Sequence, residues 1–479
     1  MSADAAQADT FDLVVLGAGT GGYSAAFRAA QLGLNVALVD QVKIGGTCLH
    51  RGCIPTKAML ESADLRDRIA RAASYGLVVE GGATPDPVVI AERRTQIVER
   101  LHKGLLSLVR KNKVTYIRGT GKLEGGTTIR VATIDDEDKP SGERVLRTKD
   151  TILATGSRVK SLPGLVPDGE RIITSDDVLR SSDLPKSVAV VGAGAVGLEF
   201  ASYYQDMGVE TTVLEYLPAV APLEDADISK ELEKALTKRG MRIITSARFD
   251  PAAVKVDDAG VHILVGKEGQ EPSELVVDRL LVAAGRAANT DDVGLETTKA
   301  VVERTIVKVD EHMQTAEPHL YAIGDIIGGL WLAHVAAHEG ICAVHHIAGA
   351  DSEPVDYLKM PRATYSRPQV ASIGRTQQEC ERDGIPFKVG RVPFQAIAKA
   401  LIAGEHEGFA KVIAHAETDE LLGVHLIGGH VTELIAEASA SMLFEATALD
   451  VGAAVHPHPT LSEIVGEAAL NVHGTSINF

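Results

Sequence analysis

In the stretch GGTCLHRGCIPTKAML, Gly45–Leu60, two cysteines stand five residues apart. Cys48 and Cys53 could be metal ligands, inert thiols, or a disulfide that opens and closes in a reaction. Zinc is disfavoured, and no metal is expected. A structural zinc site takes four ligands, and no second Cys or His pair follows at suitable spacing. A disulfide needs Cα atoms about 4.4–6.8 Å apart. Residues five apart on a regular helix are separated by about 7.5 Å along the axis alone. A bond here therefore requires irregular backbone, with which Gly52 and Pro55 are compatible. A strained bond in so short a loop is readily reduced, which suits catalysis. Spacing alone leaves two unpaired thiols equally open.

A second candidate lies near the C-terminus, in His456-Pro457-His458-Pro459. An imidazole can take a proton from a thiol near neutral pH and return it. The prolines stiffen the backbone around both rings. These residues by themselves do not choose between His456 and His458.

The elements that must carry such groups begin with FDLVVLGAGTGGYSAAFRAAQLGLNVALVD. An apolar strand, Leu13 to Leu16, runs into Gly17, Gly19 and Gly22. An Ala-rich helix follows, then a strand ending at Asp40. One glycine makes the tight turn, one lets the backbone approach a pyrophosphate, and one lets helix pack on strand. The helix N-terminus offers N–H groups to the phosphates. The closing acid can accept hydrogen bonds from a ribose. The pattern recurs in SVAVVGAGAVGLEFASYYQDMGVETTVLE, with Gly192, Gly194, Gly197 and Glu215. The acid stands 23 positions after the first glycine in both copies, 17 to 40 and 192 to 215. One glycine fingerprint is weak evidence; two matching copies indicate two dinucleotides. Glu215 would repel a 2′-phosphate, and no Arg or Lys follows in Tyr216–Ala219, so the second site should prefer NAD(H).

Bulk properties narrow the partners. The 479 residues are 45% hydrophobic, enough for two or three domains, and the formal net charge is -17. Such acidity disfavours nucleic acid and anionic membrane surfaces. No apolar run reaches the roughly 18 residues that span a bilayer. MSADAAQADT reads as a short unstructured tail, not a signal or transit peptide. Four cysteines, with Cys342 and Cys380 the other two, fit a reducing compartment, so a cytoplasmic location is expected.

GGTCLHRGCIPTKA resembles the active-site segment of the two-dinucleotide flavoprotein disulfide reductases. The resemblance extends to both fingerprints, ILATGS (152–157), VAAGR (282–286), HLYAIGD (319–325) and VHPHPTLSEIVGEA (455–468). Within that family the chain is most similar to the enzymes that oxidise dihydrolipoyl groups with NAD⁺ for 2-oxo acid dehydrogenase or glycine cleavage complexes. The resemblance implies FAD at the first fingerprint and NAD at the second. It makes Cys48 the interchange thiol, and Cys53 the thiol beside the flavin, where its thiolate forms a charge-transfer pair. Lys57 matches the lysine beside the flavin and Glu199 the carboxylate paired with it. A cation there would lower a thiol pKa and stabilise reduced flavin. His458 becomes the catalytic base and Glu463 the partner that fixes its tautomer. FAD contacts are implied for Gly17, Gly19, Gly22, Asp40, Gly46, Thr47, Cys48, Lys57, Gly121, Thr155, Gly156, Ser157, Asp325, Trp331, Leu332, Ala333 and His334. NAD contacts are implied for Gly192, Gly194, Val196, Gly197, Glu199, Glu215 and Gly285. The chain departs from the family's usual Glu at Asp40, Asn at His50, Ser at Thr56, and a smaller residue at Trp331.

The expected fold is α/β. Two doubly wound Rossmann-like domains, for FAD and NAD, precede a C-terminal α+β dimerisation domain. The FAD domain is expected over 1–155, the NAD domain over 156–284, a returning FAD segment over 285–354 and the interface domain over 355–479. Residues 123–149 read as a β-meander with an exposed tip. By resemblance the chain is a homodimer in which His458 serves the other subunit's disulfide. Its substrate is then a lipoyl-bearing E2 or glycine cleavage H protein. The rivals are glutathione-type reductases, disfavoured by Glu215, mercuric reductases, which add a C-terminal Cys pair, and soluble transhydrogenases, which usually lack the second Cys. A non-catalytic FAD-bound scaffold is disfavoured by intact Cys48, Cys53, His458 and Glu463.

Overall fold

A computed structural model describes residues 9–479; the expected N-terminal tail lies, through residue 8, outside the described residues. The chain forms two compact units. The first comprises residues up to Ala58, Glu92–Val159 and Arg286–Tyr357, and the second Met59–Ala91, Lys160–Gly285 and Leu358–Phe479.

The first unit is built on β1 (Asp9–Leu16), whose Leu13, Val14 and Val15 are fully buried. A strand covered on both faces needs this continuous apolar run, as central parallel strands do. It pairs in parallel with β2 (Val36–Asp40), and β2 with β3 (Thr115–Leu123). β4 (Thr128–Ile134) runs antiparallel between β3 and β5 (Pro140–Leu153), forming the expected meander. β5 returns in parallel beside β1 and takes the strand Leu320–Ala322 on its other side. Helix α1 (Thr20–Gln31) connects β1 to β2 and buries Ala25, Ala26 and Ala29.

The second unit repeats the plan. Its parallel sheet runs Arg242–Ile244, Glu210–Leu214, Ser187–Val191, Arg279–Val282, Ile172–Thr174. A five-stranded antiparallel sheet follows, in the order 362–364, 369–374, 421–428, 409–415, 387–393. Helices Val431–Leu443 and Glu463–Asn471 bury Ile435, Ala438, Ile464 and Val465 in the same core as Val412, Val424 and Leu426 of that sheet.

Residues 59–91, read from sequence as part of the FAD domain, group with the second unit. Met59 and Ala63 enter its core beside Phe200, Tyr204 and Val213. Arg367 Nη2 and Arg239 Nη2 meet Asp67 at 2.8 and 3.2 Å. One further ion cluster lies deep in this unit. Lys411 Nζ is 2.8 Å from both Asp225 Oδ1 and Asp227 Oδ2, and Asp225 is fully buried. Among the described residues no helix is long and apolar enough to cross a membrane.

Candidate active site

The helical stretch carrying the cysteines is broken, as an approach of the two thiols requires. Helix α2 (Gly46–Arg51) ends at Gly52, which leaves helical geometry with φ -154° and ψ -113°. Helix α3 (Cys53–Ala70) then starts at Cys53 itself. The break brings the Cys53 side chain within hydrogen-bonding reach of Cys48, and both are thiols here. The Cys48 thiol is pushed well above its ordinary range, first by its hydrogen bond with Cys53, then by burial and by the negative charge Cys53 would carry. The Thr20 hydroxyl and the Lys57 charge act in the opposite direction. Two thiols in contact behave as a pair, because the proton they share is hard to remove. Tyr23 stands close enough to feel both sulfurs, though burial is the main cause that raises its phenol. Thr20 and Tyr23 were absent from the sequence reading. Their signal was their place in the helix opening the first fingerprint, which faces the cysteine helices.

Both fingerprints build the same cradle. A Cβ on Gly17 would lie 2.1 Å from Ala154 O, and one on Gly22 1.8 Å from Gly17 O. In the second copy, Gly192 would meet Ala283 O at 2.5 Å and Gly197 would meet Gly192 O at 1.9 Å. The middle glycines, Gly19 and Gly194, face nothing within 4 Å. Outer glycines are thus required for internal packing, and the middle ones leave room for an outside group to reach the backbone. The residues present fit a dinucleotide at each site.

The two acids are held alike. Asp40 accepts Ala18 N–H at 2.6 Å and Val42 N–H at 2.7 Å. Burial raises its carboxyl pKa, against the pull of those amides. Glu215 accepts Ala193 N–H at 2.6 Å and Leu217 N–H at 2.7 Å. Each carboxylate oxygen therefore has one backbone donor and keeps lone-pair capacity for a ribose. The loop after Glu215 has a cation that the local sequence did not show. Arg248 lies over the Tyr216 ring at 3.9 Å, but its Nη1 donates to Tyr216 O and Ala247 O at 2.9 and 3.0 Å.

Other expected contacts assemble in the first unit. Gly121 packs its α-carbon against the end of β1, where a Cβ would meet Leu16 at 2.7 Å. Thr155 Oγ1 donates to Asn289 O at 2.7 Å, and Gly156 O accepts Asn289 N–H at 2.9 Å. Ser157 Oγ donates to Asp325. Arg286, absent from the expected set, donates from Nε to Ser157 Oγ at 2.7 Å and from Nη2 to Ser157 O at 2.8 Å. It thereby braces the serine that links ATGS to Asp325 of AIGD, and its Nε lies 4.0 Å from that carboxylate; its only signal was its position closing VAAGR. Trp331 adopts the left-handed region, φ +45°, just before Leu332 caps the helix Ala333–Ile347.

In the second unit Glu199 is buried and accepts Tyr365 N–H at 2.9 Å. Val196 and Gly197 lie in the first turn of the helix Ala195–Asp206, and Gly285 holds φ +103°. The structure also separates the two candidate histidines. His456 is 12% exposed and its Nε2 is tied to Glu437 at 2.7 Å. His458 is 71% exposed and its Nδ1 is 2.8 Å from Glu463 Oε1. Glu463 Oε2 accepts Thr460 N–H at 2.9 Å. Burial pushes the Glu463 carboxyl up, but Thr460 and His458 outweigh it, and the net shift is downward. A carboxylate so placed sets the tautomer with Nε2 available outward.

The family model of pyridine nucleotide-disulphide oxidoreductases matches residues 11–340, and that of their dimerisation domain matches residues 360–469. The chain belongs to this family. Among its relatives, a dihydrolipoyl dehydrogenase of Bacillus subtilis is 45% identical, over 98% of this chain and 100% of its own. One of Zymomonas mobilis is 40% identical, again over 98% and 100%. The crystal structure of LpdA from Mycobacterium tuberculosis superposes with a TM-score of 0.87 at 27% identity, covering 96% of this chain and 99% of that one. In this pyridine nucleotide-disulphide oxidoreductase the dimerisation-domain match supports a homodimer.

Proposed function

We propose that this oxidoreductase oxidises protein-borne dihydrolipoyl groups to lipoyl groups, with NAD⁺ as final acceptor. FAD and NAD are its cofactors, FAD at the Gly17–Gly22 cradle and NAD at the Gly192–Gly197 cradle. One observation carries the reading: a broken helix sets Cys48 against Cys53 in the unit that holds the first cradle. The near-full-length likeness to dihydrolipoyl dehydrogenases supports the choice of substrate.

In the oxidised enzyme Cys48 and Cys53 are joined. A substrate thiol loses its proton to Nε2 of His458 and attacks Cys48 Sγ; the Cys48–Cys53 bond breaks and Cys53 leaves as a thiolate. Glu463 steadies the imidazolium through Nδ1. The second substrate thiol then attacks the sulfur joined to Cys48 and closes the lipoyl ring. His458 gives its proton to the departing Cys48 and takes the proton of the attacking thiol, so that a Cys48 thiol and an imidazolium opposite the Cys53 thiolate remain. Two electrons now reside on the cysteines. Bound FAD supplies the two-electron path from this dithiol to NAD⁺. The Lys57 charge, which already favours thiolate at Cys48, and the proposed Lys57–Glu199 pairing tune this step. Glu215 excludes a 2′-phosphate by like charge.

The remaining contacts named from the sequence, and the four domain ranges with 59–91 regrouped to the second unit, stand as part of the same proposal. So do a cytoplasmic location, a lipoyl-bearing E2 or glycine cleavage H protein as partner, and a His458 that serves the other subunit. Val455, beside the histidines, is 96% exposed, and Phe444 is 80% exposed, which suits a face that a second copy covers. The decisive experiment is Cys53→Ser. Dihydrolipoamide oxidation should vanish while FAD is retained; oxidation at the native rate would overturn the scheme.

A further inference from the structure

Glu339, in the helix Ala333–Ile347, is 2% exposed and has no place in the scheme above. Among the described residues no lysine, arginine or histidine pairs with it. Burial raises its carboxyl pKa, and the nearby charge of Asp325 adds to that rise. A buried acid without a counter-ion is costly unless neutral donors hold it. Two do: Gly324 N–H donates to Oε2 at 2.6 Å, and the Tyr357 hydroxyl donates to Oε1 at 2.9 Å.

Gly324 heads the turn Gly324–Ile327 that carries Asp325, and it adopts φ +73°, which favours glycine. Ser157 donates to the Asp325 carboxylate, with Arg286 Nε 4.0 Å from it; Glu339 holds the backbone of the same turn. The Glu339 helix also rests directly on α1. A Cβ on Gly21 would come within 2.9 Å of Ala336 O, and one on Gly340 within 2.8 Å of Gly21 O. Gly21 follows the open Gly19 of the first cradle by two residues. One helix therefore ties the phosphate-facing start of α1 to the turn bearing Asp325.

We infer that Glu339 is a positioning residue for the flavin: acting through Gly324 and Tyr357, it sets the spacing between the phosphate cradle and Asp325. The inference rests on the reading of Asp325 as a flavin-holding carboxylate. It is tested on the full-length protein, stripped of flavin and titrated with FAD by fluorescence quenching. Thermal melts of the stripped protein are run in parallel.

Glu339→Ala should raise the FAD dissociation constant about tenfold, the loss expected for an anchoring hydrogen bond. Glu339→Gln, which keeps an oxygen for Gly324 N–H, should stay within about twofold. Tyr357→Phe should weaken FAD about threefold. Native affinity in Glu339→Ala overturns the inference. So does a weakening that tracks a lower melting temperature and that Glu339→Gln does not restore. If Glu339→Ala does not fold, Tyr357→Phe decides: weaker FAD at an unchanged melting temperature supports the inference, and unchanged affinity overturns it. Asp325→Ala is the control. Unchanged FAD affinity there refutes the reading of Asp325. Weakening there, with Glu339→Ala and Tyr357→Phe unaffected, refutes the Glu339 inference alone.

Discussion

Two glycines of the second fingerprint, the middle Gly194 and the outer Gly197, should fail in different ways when each is changed to alanine. Gly194 has φ -77° and ψ -179°, which alanine adopts freely, and its Cβ would meet nothing within 4 Å. At this helix N-cap alanine loses more than a few tenths of a kcal/mol against glycine. It gains about 0.4–1 kcal/mol by restricting the unfolded chain. The two nearly cancel, so the melting temperature should move by no more than about 2 °C. The new methyl nevertheless occupies the space through which a pyrophosphate must approach the backbone. Loss of one hydrogen bond to a charged phosphate amounts to about 1.5–3 kcal/mol, or about 10- to 100-fold in NAD⁺ affinity. Gly197→Ala is the opposite case. Its Cβ would sit 1.9 Å from Gly192 O, a backbone atom that cannot turn aside. Overpacking of this kind should cost about 3 kcal/mol or more. Thermal melts and the KM for NAD⁺, measured on both variants with FAD bound, check the pair. A native KM in Gly194→Ala would mean that no dinucleotide meets the backbone there. A native melting temperature in Gly197→Ala would refute the packing argument.

Three further variants test the geometry. His458→Gln should lower the rate of dithiol oxidation about 100-fold or more with little change in melting temperature, since the ring is 71% exposed. His456→Gln should do the reverse, because that ring is 12% exposed and bonded to Glu437; steady-state rates and melts on both variants check the assignment. Lys411→Met should destabilise the fold by about 3–5 kcal/mol, since it strands buried Asp225 without its cation. In the native protein burial pushes the Asp225 carboxyl up, but Lys411 and other partners leave it below its ordinary 3.8. Its stabilisation is therefore present above that value and lost as pH falls through the lower folded pKa. In the variant burial prevails and the folded pKa rises, so acid relieves the strain. Urea unfolding should show the gap between the two proteins narrowing from pH 7 towards pH 4; a constant gap refutes the account.

Most of the cradles was legible in the chain itself. Gly17, Gly19, Gly22 and Asp40 belong to one strand, one turn, one helix and the next strand. The same holds for Gly192 to Glu215. The need for distorted backbone between Cys48 and Cys53 was likewise readable from spacing, and Gly52 provides it. The grouping of 59–91 was not readable. It depends on Met59 and Ala63 meeting Phe200 and Tyr204, well over a hundred residues away. Arg248 was missed for a similar reason. It lies on a strand well past Glu215, and only the fold brings it over Tyr216.

The amino-acid sequence by itself determined the two glycine cradles with their closing acids, and the need for a helix break between Cys48 and Cys53. Each depends on residues that share one local βαβ turn or one helix start, where backbone geometry follows directly from spacing. Only the tertiary structure decided which histidine is tied off and which points outward, because Glu437 reaches His456 from the helix Val431–Leu443. It alone joined Arg286, Ser157 and Asp325, and set Glu339 under Gly324. Those contacts require separate strands and helices to be laid side by side first. Their partners are chosen by how the sheets register and the helices pack, and no short stretch of chain encodes that.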